Sequence, residues 1–388
     1  MTLEQRITAL AQATGADIKA LQAAVAAAGG AVTGDARLTA AAPGAGWLPA
    51  TGGVYPRADH PALASMLGVL PDRPFDATQW ASNALAGISG AKAIGWGDGV
   101  FVCAAYNSAR VFTSTDGSGW TQRTLPATNN WRTVAYGNGV FVVASDSQAY
   151  NAVAVSTDGG VSWTLRTLPA TGNWSALAYG NGRFVALRAG SNQGVWSSDG
   201  VTWTPLTLPT SANWGTLVWG GDRFVAVSGN SSVTLTSPDG VTWTQHAAAF
   251  VYGTLGLAYG AGLLVCAPDG MNGKVYTSPD GIAWTERPLP AALQMVVVAW
   301  TGSAFVGLLS SSSELMVSAN GVDWVLYSGL PGAYTWAGCA AALGRLVAVA
   351  TNSPAVALNR SAISYDALTH FVVPALATQA PLKWYLKT

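Results

Sequence analysis

The chain has 388 residues, half of them hydrophobic and only 10% charged, and its 19 basic and 19 acidic side chains cancel. That apolar content supplies a large core and excludes an intrinsically disordered chain. Lys and Arg are scattered without runs, which leaves no electrostatic footprint for nucleic acid.

The chain opens on Leu3, Ile7, Leu10, Thr14, Ile18, Leu21, Val25 and Ala28, spaced by threes and fours. This spacing predicts a helix over residues 1–32 with one apolar stripe, heptad-like apart from a stutter at Thr14 to Ile18. A stripe with no local partner favours self-association through Leu3, Ile7, Leu10, Ile18, Leu21 and Val25. The alternative is a single helix laid on the rest of the chain. Polar and charged residues after Met1 do not read as a signal peptide, and Ala20 to Val32 is too short and too weakly apolar to span a bilayer, so no membrane insertion is expected. Gly29-Gly30 and Pro43-Gly44 then loosen the chain into a linker over residues 33–73.

Residues 74–374 are repetitive. A Ser, an Asp-Gly turn and a tryptophan recur, with Asp116, Asp158, Asp199, Asp239 and Asp280 in the turns and Trp120, Trp163, Trp203, Trp243, Trp284 and Trp324 closing them. Successive tryptophans lie 43, 40, 40, 41 and 40 residues apart, the length of a four-stranded propeller blade. Ahead of each turn stands a hairpin signature, clearest in Tyr136-Gly137-Asn138-Gly139 and Tyr179-Gly180-Asn181-Gly182, with weaker versions from Trp96, Trp219, Tyr259, Trp300 and Ala342. Seven hairpins against six clear turns favour seven units, with Ser364 to Phe371 as the seventh turn and Phe371 in place of Trp. Asn-Gly supplies the positive dihedrals of a tight hairpin, and the flanking stretches alternate with the period of half-buried strands. One such sheet cannot bury both faces alone, so the units stack and close. The fold class is mainly β: a seven-bladed β-propeller behind an N-terminal coiled-coil helix.

In a propeller the first and third turns of each blade lie on one face, which here carries the repeated Gly-Asn-Gly and Asp-Gly turns. The second turns lie on the other face and vary. They are Tyr106 to Ala109, Ser145 to Asn151, Arg188 to Gln193, Gly229 to Ser232, Asp269 to Lys274, Ser310 to Ser313 and Asn352 to Pro354. Tyr106, Asn107, Tyr150, Asn151, Asn192, Gln193, Asn230 and Asn272 are the candidate ligand contacts, a composition suited to a polar ligand such as a saccharide; ordinary solvated loops are the other reading. Trp131, Trp174 and Trp214 each open a strand near that face. They are either stacking platforms for sugar rings or packing between sheets.

Three short stretches resemble a known group. Leu3 to Gln12 with Gly15 to Leu21 looks like the N-terminal helix of bacteriophage tail-fibre and tail-associated proteins. Gly46-Trp47-Leu48 with Gly53 to Gly68 resembles the phage tail-collar motif, and Leu382 to Thr388 is similar to the strand that closes that module. The resemblance implies a virion tail-fibre protein, trimeric, joined to other tail or baseplate proteins through the N-terminal helix, with residues 375–388 returning to the collar-like segment and the propeller as an insert. Its partner would be a bacterial surface glycan or protein receptor. A purely structural virion component is the alternative. The turns themselves resemble the Asp-box repeats of sialidases and other propellers, in which the box is a structural element.

Sialidase chemistry would need an arginine cluster, a Tyr/Glu pair and an acid/base Asp. The glutamates are only Glu4, Glu286 and Glu314, and Arg183, Arg223 and Arg345 stand at or beside hairpin turns of separate units, in solvated positions. Asp146, Asp222, Asp269 and Asp323 sit in different units, whereas the paired carboxylates of a glycosidase must share one surface. His60, His246 and His370 are isolated, and no nucleophile elbow, zinc motif or phosphate loop is present. Cys103, Cys266 and Cys339 lie far apart in apolar stretches and read as buried small hydrophobes. No enzyme, catalytic residue, metal or cofactor is expected, with a glycan hydrolase the most distant alternative.

Overall fold

The computed structural model describes residues 36–39, 47–49, 54–56, 80–248, 254–270, 273–342, 345–351, 353, 355–359, 370–372 and 383–387. The helix expected over residues 1–32 lies outside them. The chain divides into two compact units, Met1–Asp72 with Ile363–Thr388, and Arg73–Ala362.

In the smaller unit Lys383–Lys387 runs antiparallel between Ala36–Thr39 and Trp47–Pro49, with Leu38 opposite Trp384 and Leu48 opposite Leu386. Val54–Pro56 pairs with His370–Val372. The larger unit is thus inserted between two segments of the smaller one.

The larger unit holds seven four-stranded antiparallel sheets among the described residues. The first takes Ala91–Gly97, Val100–Ala105, Ser108–Ser114 and Thr121–Asn129 in order. The first strands of the next six are Trp131–Gly137, Ala176–Gly180, Trp214–Trp219, Thr254–Gly260, Met295–Trp300 and Trp336–Ala342. Each first strand lies against the first strand of the following sheet, and the last lies against Ala91–Gly97, so the inner strands run in a cycle. This is a mainly β, propeller-like arrangement.

Burial follows from it. The second strands are apolar at successive positions and almost wholly buried, as in Val140–Ser145 and Phe305–Leu309. Both of their faces are covered by neighbouring sheets, so alternation disappears there. The fourth strands, such as Thr164–Thr167, are largely exposed and polar.

The seventh sheet departs from the sequence expectation. Trp336–Ala342, Arg345–Ala350 and Ala355–Asn359 are joined by Trp80–Ala84, with Asn359 opposite Trp80. His370–Val372 belongs to the smaller unit, and residues 364–369 lie outside the described residues. A strand from the start of the unit ties the last sheet to the first through the covalent chain and covers the edge of Ala355–Asn359.

Two local devices hold neighbouring sheets together. In the hairpins Asn138 and Gly139 have φ of 49° and 77°, the left-handed pair that a two-residue turn demands. The glycine before each Asn has another role. A Cβ on Gly137 would stand 2.1 Å from Tyr179 Cγ, and one on Gly180 would stand 2.3 Å from Trp219 Cδ2, so each aromatic lies directly on the glycine of the preceding sheet. The same aromatic packs on a phenylalanine of its own sheet, Tyr136 on Phe141 and Tyr179 on Phe184, both at 4.7 Å between ring centroids.

The Asp turns are built from side chain to backbone. Ser156 Oγ donates to Asp158 Oδ1 at 2.8 Å and accepts from Gly160 N at 2.9 Å, while Oδ1 also accepts from Val161 and Ser162 N. Trp163 Nε1 donates to Gly160 O at 2.9 Å, and the indole is buried. In the sixth turn Asn320 Oδ1 does the same work for Val322 and Asp323 N. The Ser162 hydroxyl, with the backbone donors, holds the Asp158 pKa at about 2 against slight burial. Arg183 and Arg345 are not free in solvent as the sequence suggested. Arg183 Nη1 donates to Asp239 O and Arg345 Nη1 to Asp116 O, each at 2.6 Å, clamping the turn of the following sheet.

Candidate functional site

Because each sheet is a four-strand meander, the second turns and the connections between sheets lie together at the end where the inner strands begin. At that end the inner strands enclose a cavity of about 430 Å³, lined by all seven of them, from Lys92 and Ile94 through to Trp336 and Cys339. The varied loops and the cavity therefore occur at one end of the same unit.

Six inner strands carry a bulge at this end. Ala91 pairs with Ala105 and Ala93 with Ala104, which leaves Lys92 as the extra residue; Trp131 and Thr133 likewise bracket Arg132 against Ser145 and Ala144. The same irregularity singles out Gly215, Leu255, Val296 and Ala337. Ser175 holds the corresponding place in the third sheet, where the strand starts one residue later. A bulge re-aims a side chain without breaking the ladder, and of the bulged residues Lys92, Arg132, Gly215, Val296 and Ala337 line the cavity, as does Ser175. The backbone is fixed behind it by a recurring bond across the first hairpin, from Tyr106 N to Gly90 O, Asp146 N to Asn130 O and Thr351 N to Thr335 O, at 2.9 to 3.1 Å.

Only the first two of these positions are charged, and they are neighbours. Lys92 Nζ lies 3.8 Å and Arg132 Nη1 3.5 Å from the same oxygen, Asp146 Oδ2. Lys92 also stands over the Tyr106 ring, 3.8 Å from its centroid, a cation–π contact. Asp146 Oδ1 is buried and has no hydrogen-bond partner among the described residues. Burial lowers the Lys92 pKa, the Asp146 carboxylate raises it, and the Arg132 charge lowers it again. Burial and then Asp146 raise that of Tyr106. The group is two cations around one carboxylate in the wall of a cavity.

Of the residues offered by the sequence, Tyr106 lies in this group. Asn107 adopts a left-handed φ of 51° in the adjoining turn. Asn151 and Asn230 are exposed on their loops, and Asn192 and Gln193 are exposed at the start of the strand Ser191–Ser197. Gln193 Oε1 accepts from Arg188 Nη1 at 2.5 Å, and Asn230 Oδ1 accepts from Asn213 N at 3.0 Å, so both also shape their loops. Tyr150 packs edge-on against Trp131, 6.0 Å between centroids. Asn272 lies outside the described residues.

The tryptophans are a correction. Trp131, Trp174 and Trp214 are 0–1% exposed, and no ring face is open to a sugar. Trp131 and Trp214 open inner strands just ahead of the bulged residue, Trp174 stands just ahead of Ser175 in the equivalent place, and all three indoles pack among the buried residues of neighbouring sheets. Lys92, Arg132 and Asp146 were missed as a site. The signal was available: each bulged residue stands four positions ahead of the hairpin aromatic or its equivalent, and aligning the repeats there gives Lys, Arg, Ser, Gly, Leu, Val and Ala.

Among the described residues no group of three or more His, Cys, Asp or Glu could hold a metal ion, and no helix is long and apolar enough to cross a membrane.

Fold and site together define a propeller-like protein with a ligand-sized central cavity. A family described as the DUF6242 beta propeller domain matches residues 124–253. Among solved structures, a streptogramin B lyase is similar at 12% identity with a TM-score of 0.64, over 73% of this chain and 99% of that one. YCF48 bound to D1 peptide is similar at 16% identity and 0.61, over 74% and 99%. The Pan2 WD40 domain of Neurospora crassa is similar at 10% identity and 0.59, over 75% and 98%. At these identities the likeness concerns the fold alone, which lyases and non-enzymatic propellers share. No curated protein sequence matches the chain.

Proposed function

We propose that the chain is a tail-fibre protein of a phage or related particle, whose seven-bladed, Asp-box β-propeller binds a bacterial surface receptor, a glycan or a protein, through the face of varied loops. One observation carries this reading: the two ends of the propeller-like unit are built on different rules. At the hairpin end five sheets repeat one Asp turn and the sixth keeps it with Asn320, and glycine–aromatic contacts such as Gly137 with Tyr179 and Gly180 with Trp219 lock neighbouring hairpins. At the other end the loops differ from sheet to sheet, expose Asn107, Asn151, Asn192 and Asn230, and adjoin the cavity. A scaffold that fixes one end and varies the other is the layout of a recognition surface on a rigid support. The collar-like terminal stretches and the N-terminal apolar stripe support attachment to a particle as a trimer, in which weak sites combine through avidity.

The test is whole-cell binding by the full chain across a panel of bacteria, with Asn151→Ala and Asn192→Ala as loop variants and Thr202→Ala, on the opposite end, as control. Binding to particular strains, weakened by the loop changes alone, is expected. Absence of binding to every strain, in a protein still incorporated into particles, refutes the reading in favour of a structural role. Because similar folds include a lyase, the same incubations are assayed for released reducing sugar and unsaturated products, and release would make the protein an enzyme.

A further inference from the structure

We propose that the cavity end between the first two sheets is an anion subsite, in which Lys92 and Arg132 together take one carboxylate or phosphate group of an acidic saccharide. This deepens the receptor reading above and rests on it.

Position is the first argument. Six of the equivalent positions line the cavity, and apart from Lys92 and Arg132 they are Ser175, Gly215, Val296 and Ala337. Repetition gives no reason for two adjacent cations, and a pair of bulged, inward-set charges is costly unless it is used.

Charge balance is the second. Two cations share one carboxylate oxygen at 3.5 and 3.8 Å, well beyond the roughly 2.7–2.9 Å of a charge-assisted hydrogen bond. One positive charge therefore stays uncompensated, and most of the N–H donors on the two groups are unspent. Asp146 holds the cations side by side more than it neutralises them. The Tyr106 face supports Lys92 from behind without consuming a donor. Lys92, the more buried of the two, is less screened by solvent than Arg132, which strengthens its pull on an anion.

Space is the third. The uncharged residues across the cavity, Gly215, Gly256 and Val296 among them, leave about 430 Å³ free, near the lower end for small-ligand cavities. That fits a single terminal sugar unit better than a long oligosaccharide.

The experiment is calorimetric titration of the full chain with glucuronic acid, glucose 1-phosphate and glucose. At least one acidic sugar binds about tenfold or more tightly than glucose, and the two acids separate the carboxylate and phosphate forms. Lys92→Met and Arg132→Gln each cost about tenfold in acid affinity, the size of one lost charged hydrogen bond, with glucose unaffected. Asp146→Asn removes the competing carboxylate and raises acid affinity, which a merely structural role for these residues does not predict. Equal binding of all three sugars, no binding of either acid, or loss of acid binding in Asp146→Asn overturns the subsite. Host-cell adhesion that persists unchanged in Arg132→Gln without any anion preference overturns the subsite alone. Anion binding without adhesion to any cell leaves the subsite standing and removes the receptor reading.

Discussion

Gly137→Ala isolates the contact that locks one sheet to the next. The added Cβ would lie 2.1 Å from Tyr179 Cγ and 2.3 Å from both Cδ atoms, where carbon atoms ordinarily approach no closer than about 3.5 Å. The ring must retreat by more than about 1 Å, and the clash is with its fixed base rather than a flexible tip. Retreat also disturbs the Tyr179–Phe184 contact. Gly137 is not in the left-handed region, so the backbone itself accepts alanine, and at an open site the change would stabilise by about 0.4–1 kcal/mol. Overpacking of this kind costs about 1–3 kcal/mol, and the severity of the overlap places Gly137→Ala near 3. Gly139→Ala provides the contrast, with nothing within 4 Å of its Cβ but a φ of 77°, which costs about 1–2 kcal/mol in backbone strain. The assay is urea denaturation of both variants, of Tyr179→Ala and of the Gly137→Ala/Tyr179→Ala pair. The pair should be at least about 1 kcal/mol more stable than the sum of the single losses. Gly137→Ala as stable as the unchanged protein, or strict additivity in the pair, refutes the interlock.

Three further outcomes follow from the turns and the closure. The turn carboxylates all have lowered pKa values: hydrogen bonds lead for Asp158 and Asp199, while in Asp116, Asp239 and Asp280 partial burial works upward and is outweighed by hydroxyl and N–H donors. Their stabilisation is present above the unfolded value near pH 4 and is lost as pH falls through the folded values, about 2 for Asp158, so thermal melting should hold down to about pH 5 and drop steeply between about pH 4 and 2. Asp199→Asn should cost less than Asp199→Ala, because Asn320 already fills this role in the sixth turn; the alanine change leaves Val201 and Thr202 N without their acceptor and should cost about 1–3 kcal/mol by denaturation. Arg345→Ala removes the clamp on Asp116 O between the last and first sheets, and hydrogen exchange should rise first in the strands beside that junction.

Much of the fold was legible because the repeat states it locally. Asn-Gly pairs and Ser, Asp and Trp at fixed offsets specify turns by short-range chemistry, and the side chains meet within each motif as that chemistry requires. Trp80–Ala84 was not legible, since a lone strand bears no mark of the sheet it joins, and its partner Ala355–Asn359 lies almost the whole unit away. Phe371 misled for the complementary reason: an aromatic at the right interval imitates the turn while its strand pairs in the other unit. The site was half legible. The varied loops stand out against a repeating background, but Lys92 and Arg132 gain meaning only when bulges set equivalent positions around a cavity. Trp131, Trp174 and Trp214 show the limit of reading aromatics as ligand platforms, since burial is a property of the closed assembly and not of the strand that carries them.

The pairing of Trp80 with Asn359 places the beginning and the finish of the inserted unit side by side. A module whose two leads emerge together can be exchanged for another of different size or specificity while the gap to be bridged stays constant.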